Sequence, residues 1–475
     1  MEAVLPLSHA VVPDATDAAS APGGRPAERP VKRRAVRASF WVVAESGLTQ
    51  FIHIGQHIVL AWLLPLQIWG LMALTGIAIR MLEMFSDIGI GPSIIQSRRG
   101  DDPVFLNTAW TLQIIRGIGL WLCACAVAYP FGMFYEKPEL TSLIAVVGLT
   151  SLISGFTSTN WITANRNLTL GRRTFVTLGS QTVALMVTIV WAVLSPTVWS
   201  MVAGMLAGQM VRVILSHLVL LGIRNRLCLT GGAIRELFGF SFWIFVNTLF
   251  SSLSMQMDKL ILGKLVTVDV LGIYYVANRF ATQPQNLLGK LTSNVVFPAI
   301  SRKQDLPRHE LRARLIRHRR KPLLIGALGL AVGVAFCDQV CYLIYKPEFA
   351  DAAWIAPIML LGLWPNIVIS ALGPALMAIG KPRYRAFASI IRFILISAAI
   401  IVGYIWLGLL GVVIASTCGS LVRYVVLSWG LWRNGLLALG QDVIATVLFV
   451  CTLAAVLVAR AALGGGVPVV ERLVG

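Results

Sequence analysis

The residues of this 475-residue chain that could do chemistry are charges set inside long apolar runs. Eight of its 40 Lys and Arg fall there: Arg80, Arg116, Arg212, Lys259, Arg279, Lys290, Arg392 and Arg423. Five acidic residues share such runs: Glu45, Glu83, Asp87, Asp258 and Asp338. A Lys or Arg at mid-bilayer costs on the order of 3 kcal/mol, so each needs a counter-ion, water or a route to the interface. Arg212, Arg423 and Lys290 stand close enough to the ends of their runs to snorkel. Arg116 and Arg279 lie about ten residues deep, roughly 15 Å at helical rise. That depth points to a water-filled cavity that attracts anions, and Arg392 is grouped with them and with Arg80 as a substrate-binding candidate.

The acidic residues are candidate counter-ions. Glu83 and Asp87 lie three and seven residues after Arg80, on one helical face. Arg80 therefore reads either as a structural ion pair or as a cavity residue. Asp258 and Lys259 are adjacent, so they point about 100° apart on a helix. Lys259 is expected to snorkel outward. Asp258 is expected to pair across helices with Arg279 and to yield it to an anionic ligand. Gln50, His53 and His57 form a stripe in the first run; it could relay protons, donate to sugar hydroxyls or pair with a neighbouring helix.

The elements that must hold these charges are membrane helices. The chain is 57% hydrophobic and 13% charged, against about 25% charged in soluble domains. Thirteen runs have the length of a span: about 39–63, 66–88, 106–130, 139–162, 175–195, 198–222, 237–263, 270–297, 322–345, 352–379, 386–406, 409–432 and 442–461. None alternates with period two, which argues against a barrel. Residues 1–37 read as a disordered tail without a cleaved signal peptide. The tail ends in the basic run Lys32–Arg37, placed to hold anionic membrane lipids.

Charge asymmetry gives orientation. One set of connecting segments holds 27 Lys/Arg, including Arg98, Arg173, Arg226, Arg302–Lys321 and Arg383; the other holds Lys137, Lys264, Lys346, Arg460 and Arg472. The positive-inside rule puts the N-terminus in the cytoplasm and, with an odd span count, the C-terminus outside. The formal net charge of +19 is thus topology signal, not a nucleic-acid surface. The segment 302–321 reads either as an interfacial helix or as a solvated basic loop.

The chain also repeats itself. "SFW" occurs at Ser39 and at Ser241, and Gly70 has Gly272 at the same offset of 202. "AGQMVRVIL" (Ala207–Leu215) aligns with "CGSLVRYVV" (Cys418–Val426), Arg212 falling over Arg423 at offset 211. The basic turns at Gly171 and Gly380 correspond. A unit of six spans is even, so both copies point the same way and are related by an axis along the membrane normal. The fold class is an all-α polytopic membrane protein: two parallel six-helix lobes around a central cavity, plus one extra, peripheral C-terminal helix. The segments are 1–37 (tail), 38–223 (N-lobe), 236–433 (C-lobe) and 441–462 (added helix). Glycine pairs four apart, Gly204/Gly208 and Gly329/Gly333, fit close helix packing.

Enzyme signatures are missing: no phosphate-binding Gly-rich loop, zinc-protease helix or nucleophile elbow occurs. Gly89 and Gly91 in "DIGIGP" read as a turn. The seven cysteines are scattered without metal-ligand spacing, so no metal or other cofactor is expected.

Four stretches carry a resemblance: "LPLQIWGLMAL" (Leu64–Leu74), "DIGIGPSIIQ" (Asp87–Gln96), "MDKLILGKLVTVDVLGIYYVANRF" (Met257–Phe280) and "NVVFPAIS" (Asn294–Ser301). Over roughly residues 39–432 the chain resembles the polysaccharide-transport branch of the MOP superfamily, the Wzx-like flippases of bacterial exopolysaccharide and O-antigen assembly. The resemblance implies an inner-membrane protein with two six-helix lobes and a V-shaped, Arg/Lys-rich cavity. It implies an oligosaccharide on undecaprenyl pyrophosphate as substrate, with polysaccharide polymerase and export machinery as partners. A MATE-like small-molecule antiporter of the same fold should have an acidic cavity instead. A membrane-embedded polymerase or ligase should have a large outer loop and no twofold repeat.

The orientation is testable with reporters active only outside the cytoplasm. Fusions after Lys137 and Lys346 should be active and fusions after Arg173 and Arg383 inactive; activity at Arg173 would overturn the span order.

Overall fold

The structure, a computed structural model, describes residues 28–85, 99–166, 170–232, 242–291, 308–370 and 383–463, with single positions between them. Residues 1–27, Asp87, Gly89 and Pro92, and the side chain of Lys290, lie outside the described residues, whereas Gly91, expected in a turn, is helical.

The first lobe comprises α1 (Glu28–Leu63), α2 (Leu66–Phe85), α3 (Pro103–Phe134), α4 (Glu139–Gly155), α5 (Asn160–Arg166), α6 (Leu170–Leu194) and α7 (Val198–Leu218). The second comprises α8 (Phe242–Leu265), α9 (Val268–Leu291), α10 (Arg308–Ile344), α11 (Ala352–Leu361), α12 (Leu363–Ser370) and α13 (Arg383–Arg433). Outside the two-lobe plan stands α14 (Leu439–Ala462).

Local chemistry sets the boundaries. Asp102 caps α3, its carboxylate accepting from the Val104 N–H at 3.0 Å, and Pro103 opens the helix where no N–H is needed. Gly408, at φ +58°, divides α13 into two arms, 383–407 and 409–433, the expected eleventh and twelfth spans. A side chain there would be strained.

Each lobe is a set of close pairs: α3 on α4, α6 on α7 and α1 on α6 in the first, α8 on α13 and α10 on α11 in the second. Gly204 and Gly208 meet α6 as expected, whereas Gly329 and Gly333 have no close neighbour. The lobes meet where α2 packs on α8 and α9. A Cβ on Gly70 would lie 2.1 Å from the Val268 carbonyl oxygen, and one on Gly272 would lie 2.6 Å from that of Leu66. The two positions expected as repeat mates therefore face each other's helices at the crossing of α2 and α9.

Eight of the described helical segments are long and apolar enough to cross a membrane, and the chain is a multi-pass membrane protein. The helices α1, α8 and α9 fall short because they carry Gln50, His53 and His57, Asp258 and Lys259, and Arg279. Helix α1 begins at Glu28, inside the segment expected as tail. Helix α10 begins at Arg308 and runs through Pro322, so much of the expected basic loop is helical, with Arg312, Arg314, Arg317 and Arg320 exposed and Leu315 buried.

The added helix is more firmly docked than a peripheral segment would be. Arg319 (1% exposed) donates to Asp442 at 2.7 Å and to the Val368 carbonyl at 2.6 Å. Near the other end Arg460 donates to Asp338 at 2.6 Å and to the Ala335 carbonyl. Tyr424 donates to the second Asp442 oxygen at 2.9 Å, and Trp364 stacks on Phe449. Both arginines counted as loop charges in the sequence; their carboxylate partners draw them in.

A further tie joins the lobes at the end opposite the basic segments. The Tyr135 hydroxyl donates to the Leu260 carbonyl at 3.0 Å, and Lys264 donates to Glu136 at 2.6 Å and to the Phe134 carbonyl at 2.9 Å. The hydrogen bond from Lys264 holds the Glu136 carboxyl below its ordinary value of 4.5. The depressed value means that this tie favours the closed arrangement above the ordinary carboxylate range and is lost as pH falls through the lowered value.

Two outcomes follow. Asp338→Ala removes the carboxylate that faces the buried Arg460 and should cost about 3–5 kcal/mol, read as a lowered Tm in detergent; Asp338→Leu with Arg460→Leu should recover most of the loss. An Asp338→Ala variant melting like the wild type would remove the docking role. Separately, spin labels at Ser142 and Thr267 on a cysteine-free background should show the short inter-lobe distance losing population on acidification below the carboxylate range. Glu136→Gln should weaken that pH response, and an identical response in both proteins would refute the tie.

Candidate functional site

Several of the charges singled out in the sequence line two neighbouring cavities. One, of about 250 Å³, lies between α2 of the first lobe and α8, α9, α12 and α13 of the second; Arg80, Asp258, Lys259, Arg279, Asn366 and Arg392 line it. The other, of about 440 Å³, lies between α2, α3 and α8 and is lined by Arg80, Glu83, Arg116, Thr248, Ser252 and Gln256. Arg80 and Gln256 face both.

Arg80 sits five residues from the end of α2. It is exposed to the cavities and makes no hydrogen bond to a described residue. The ion pair with Glu83 does not form. The Glu83 carboxylate instead accepts from the Ser151 hydroxyl at 3.1 Å, and its backbone carbonyl accepts from Arg116 at 3.3 Å. Arg116 thus stays at the cavity wall, half-buried.

Arg279 is not paired with Asp258. Its Nε donates to His57 Nε2 at 3.0 Å, which requires a lone pair on that ring nitrogen. The His57 ring stacks on Trp69, centroids 5.3 Å apart. Asp258 accepts instead from the Tyr274 hydroxyl at 2.6 Å and from the Lys259 N–H at 2.8 Å. Tyr274 and Arg279 are five residues apart on α9, about 140° around the helix. Only Tyr274 can turn to Asp258, and Arg279 turns to α1.

Lys259 does not snorkel. It is buried, its ammonium 3.4 Å from Asp258 and 3.2 Å from the Met255 carbonyl. Although the two Cβ atoms diverge, the four-carbon stem folds back along its own helix, because that face meets the cavity and not lipid. The stripe on α1 pairs with a neighbouring helix: Gln50 donates to Gln283 of α9 at 2.7 Å, and His57 holds Arg279. His53 is half-buried. Arg392 reaches the cavity from α13, its Nε buried and without a hydrogen-bond partner among the described residues.

The result is four cationic groups, Arg80, Lys259, Arg279 and Arg392, on a cavity whose lining carboxylate, Asp258, is already held by Tyr274 and Lys259. Guanidinium groups in such a setting bind phosphate oxygens through charge-assisted hydrogen bonds. Sequence reasoning missed Lys259 and Asn366 as lining residues; Lys259 was read by depth alone, and an Asn inside the apolar stretch "LLGLWPNIVIS" is the signal that could have found the other. Among the described residues no three His, Cys, Asp or Glu side chains converge as a metal site would need.

Comparison with known proteins places this architecture. The family described as "Polysaccharide biosynthesis protein" matches residues 59–338. The amylovoran biosynthesis protein AmsL of Erwinia amylovora is 22% identical over 63% of this chain and 78% of its own. Among solved structures, an inward-facing multidrug resistance MATE transporter of the MOP superfamily superposes with a TM-score of 0.64 at 16% identity, covering 82% of this chain and 94% of that one. The lipid II flippase MurJ in an inward closed conformation gives 0.62 at 12% identity, covering 90% and 99%. With more than half of its length matched by that family and its two lobes arranged as in MATE and MurJ, this chain belongs to the polysaccharide biosynthesis protein family and has the MOP-superfamily fold.

Proposed function

We propose that this protein flips a lipid-linked oligosaccharide across the bacterial inner membrane for exopolysaccharide or O-antigen assembly. The observation that carries the reading is the convergence of Arg80, Arg279 and Arg392 on one cavity between the lobes. A polyprenyl pyrophosphate headgroup supplies the negative charge such a cavity lacks. Asn278, Asn366, Ser416 and Thr417 also line it and offer hydrogen bonds to sugar hydroxyls. The lipid tail stays in the bilayer while the headgroup crosses through the cavity. The two-lobe fold suits alternating access by rocking, with the lobes closed at the Lys264–Glu136 end and the substrate received from the basic, cytoplasmic end. The chain is then a transporter and not an enzyme, and it hands its product to polymerase and export machinery. A family of polysaccharide biosynthesis proteins and a fold shared with a lipid II flippase support the reading. The basic cavity speaks against the antiporter alternative.

A strain lacking the gene tests this. Arg80→Ala and Arg279→Ala should reach the membrane at normal level but lose surface polysaccharide and accumulate lipid-linked repeat units. Lys at either position should retain part of the function, since a point charge replaces a bidentate fork. Normal polysaccharide in both alanine variants would sink the proposal.

A further inference from the structure

The internal repeat allows the two lobes to be compared residue by residue near their basic ends. In the first lobe Glu45 accepts from Thr174 at 3.0 Å and from Thr177 at 3.4 Å. The same carboxylate lies within electrostatic reach of Arg212, as does Arg173, and both guanidinium groups lie over the Trp161 ring, at 5.0 Å for Arg173 and 5.8 Å for Arg212. That cluster is compensated: a carboxylate and an aromatic face serve two arginines.

The second lobe has an amide at the position matching that acid. Asn247 stands at the place of Glu45, at the offset of 202 that relates Gly70 to Gly272. Asn247 accepts from Ser389 at 3.0 Å, as Glu45 accepts from Thr177. Arg385 stands for Arg173 and Arg423 for Arg212. Arg392 has been added where the first lobe has Ser180. Arg423, on one arm of α13, lies within electrostatic reach of both Arg385 and Arg392 on the other. Arg385 and Arg392 are seven residues apart, hence on one face and about 10 Å apart along the axis. Asp258 acts on Arg392 but already serves Tyr274 and Lys259. Neither Arg392 nor Arg423 donates a hydrogen bond to a described residue.

We propose that Arg385, Arg423 and Arg392 form a phosphate-binding file on the C-lobe, leading a polyprenyl pyrophosphate headgroup from the basic end of α13 into the central cavity. The ligand chemistry is a phosphoanhydride. Arg392 belongs to the file and to the cavity at once, so a headgroup passes between them without leaving a cationic surface. Replacing Glu45 by Asn247 in the second copy is what makes only one lobe receptive. This rests on the reading of the cavity as a pyrophosphate site.

The test restores the missing acid. Asn247→Glu places a carboxylate where the first lobe has one, and Asn247→Gln makes the same change of size without the charge. Both full-length variants and the wild type, in nanodiscs, are titrated with undecaprenyl pyrophosphate, with inorganic pyrophosphate in a parallel titration and monodispersity as the check on folding. Asn247→Glu should bind the lipid at least about tenfold more weakly than Asn247→Gln, and Arg423→Ala should lose binding similarly. Equal affinity in the Glu and Gln variants, with Arg80→Ala still impaired, would overturn the file and leave the cavity reading standing. Absence of lipid binding by the wild type would overturn both. Inorganic pyrophosphate binding as tightly as the lipid, with the same sensitivity to Asn247→Glu, would make the file a free-anion site and overturn the lipid path.

Discussion

A charge inside hydrocarbon must be paired, hydrated or withdrawn to the interface, and this one constraint sorts the polar residues of the molecule. The paired class holds the added helix in place: Arg319 with Asp442 and Arg460 with Asp338, all nearly inaccessible. A second class, Arg80, Arg279 and Arg392, lines the cavity between the lobes. Asp258 and Lys259 stand between the classes, lining the cavity while satisfying each other and Tyr274. The division tells which charges build the protein and which remain available to a ligand.

Much of this was legible in the sequence because hydropathy and charge are local properties. Among the described residues each expected span overlaps a helix, or a helix broken once, as at α4 and α5 or α11 and α12. Gly70 and Gly272, which the sequence matches at an offset of 202, lie beside each other at the crossing of α2 and α9. Partner choice was less legible because it depends on rotation about helices that the sequence does not fix. Asp258 was matched to Arg279 by depth, yet depth agrees equally well with Tyr274; the 140° between the two α9 residues decides. Arg319 and Arg460 were counted as loop charges because each lies at the edge of an apolar run. Only the docking of α14 brings Asp442 and Asp338 to them.

The repeat is as informative where it fails as where it holds. Duplication gives two lobes the same backbone, and side-chain differences at matched positions then mark what each lobe does alone. Glu45 against Asn247, and Ser180 against Arg392, both shift charge in one direction, toward a more cationic second lobe. The added helix, which has no counterpart in the first lobe, fastens to that same second lobe through α10, α12 and α13. Two buried ion pairs, Arg319 with Asp442 and Arg460 with Asp338, make that attachment; under the proposed function they would brace the wall that receives the anion.

The crossing of α2 on α9 bears on movement. Two backbones that approach closely at glycines have fewer interlocked side chains to disengage when they tilt. Gly70 and Gly272 lie toward the end where Lys264 meets Glu136, and the larger cavity opens on the other side of the crossing, around Arg80 and Arg116. Closing that cavity by tilting about the glycine contact would pull Lys264 from Glu136 and bring the Arg80 face of α2 toward α8. An anionic headgroup between Arg80 and Arg392 would lower the cost of bringing these cationic walls together, because it screens their repulsion as they approach. Under the proposed function, the charge that selects the ligand would therefore favour the closing movement only when the ligand is present.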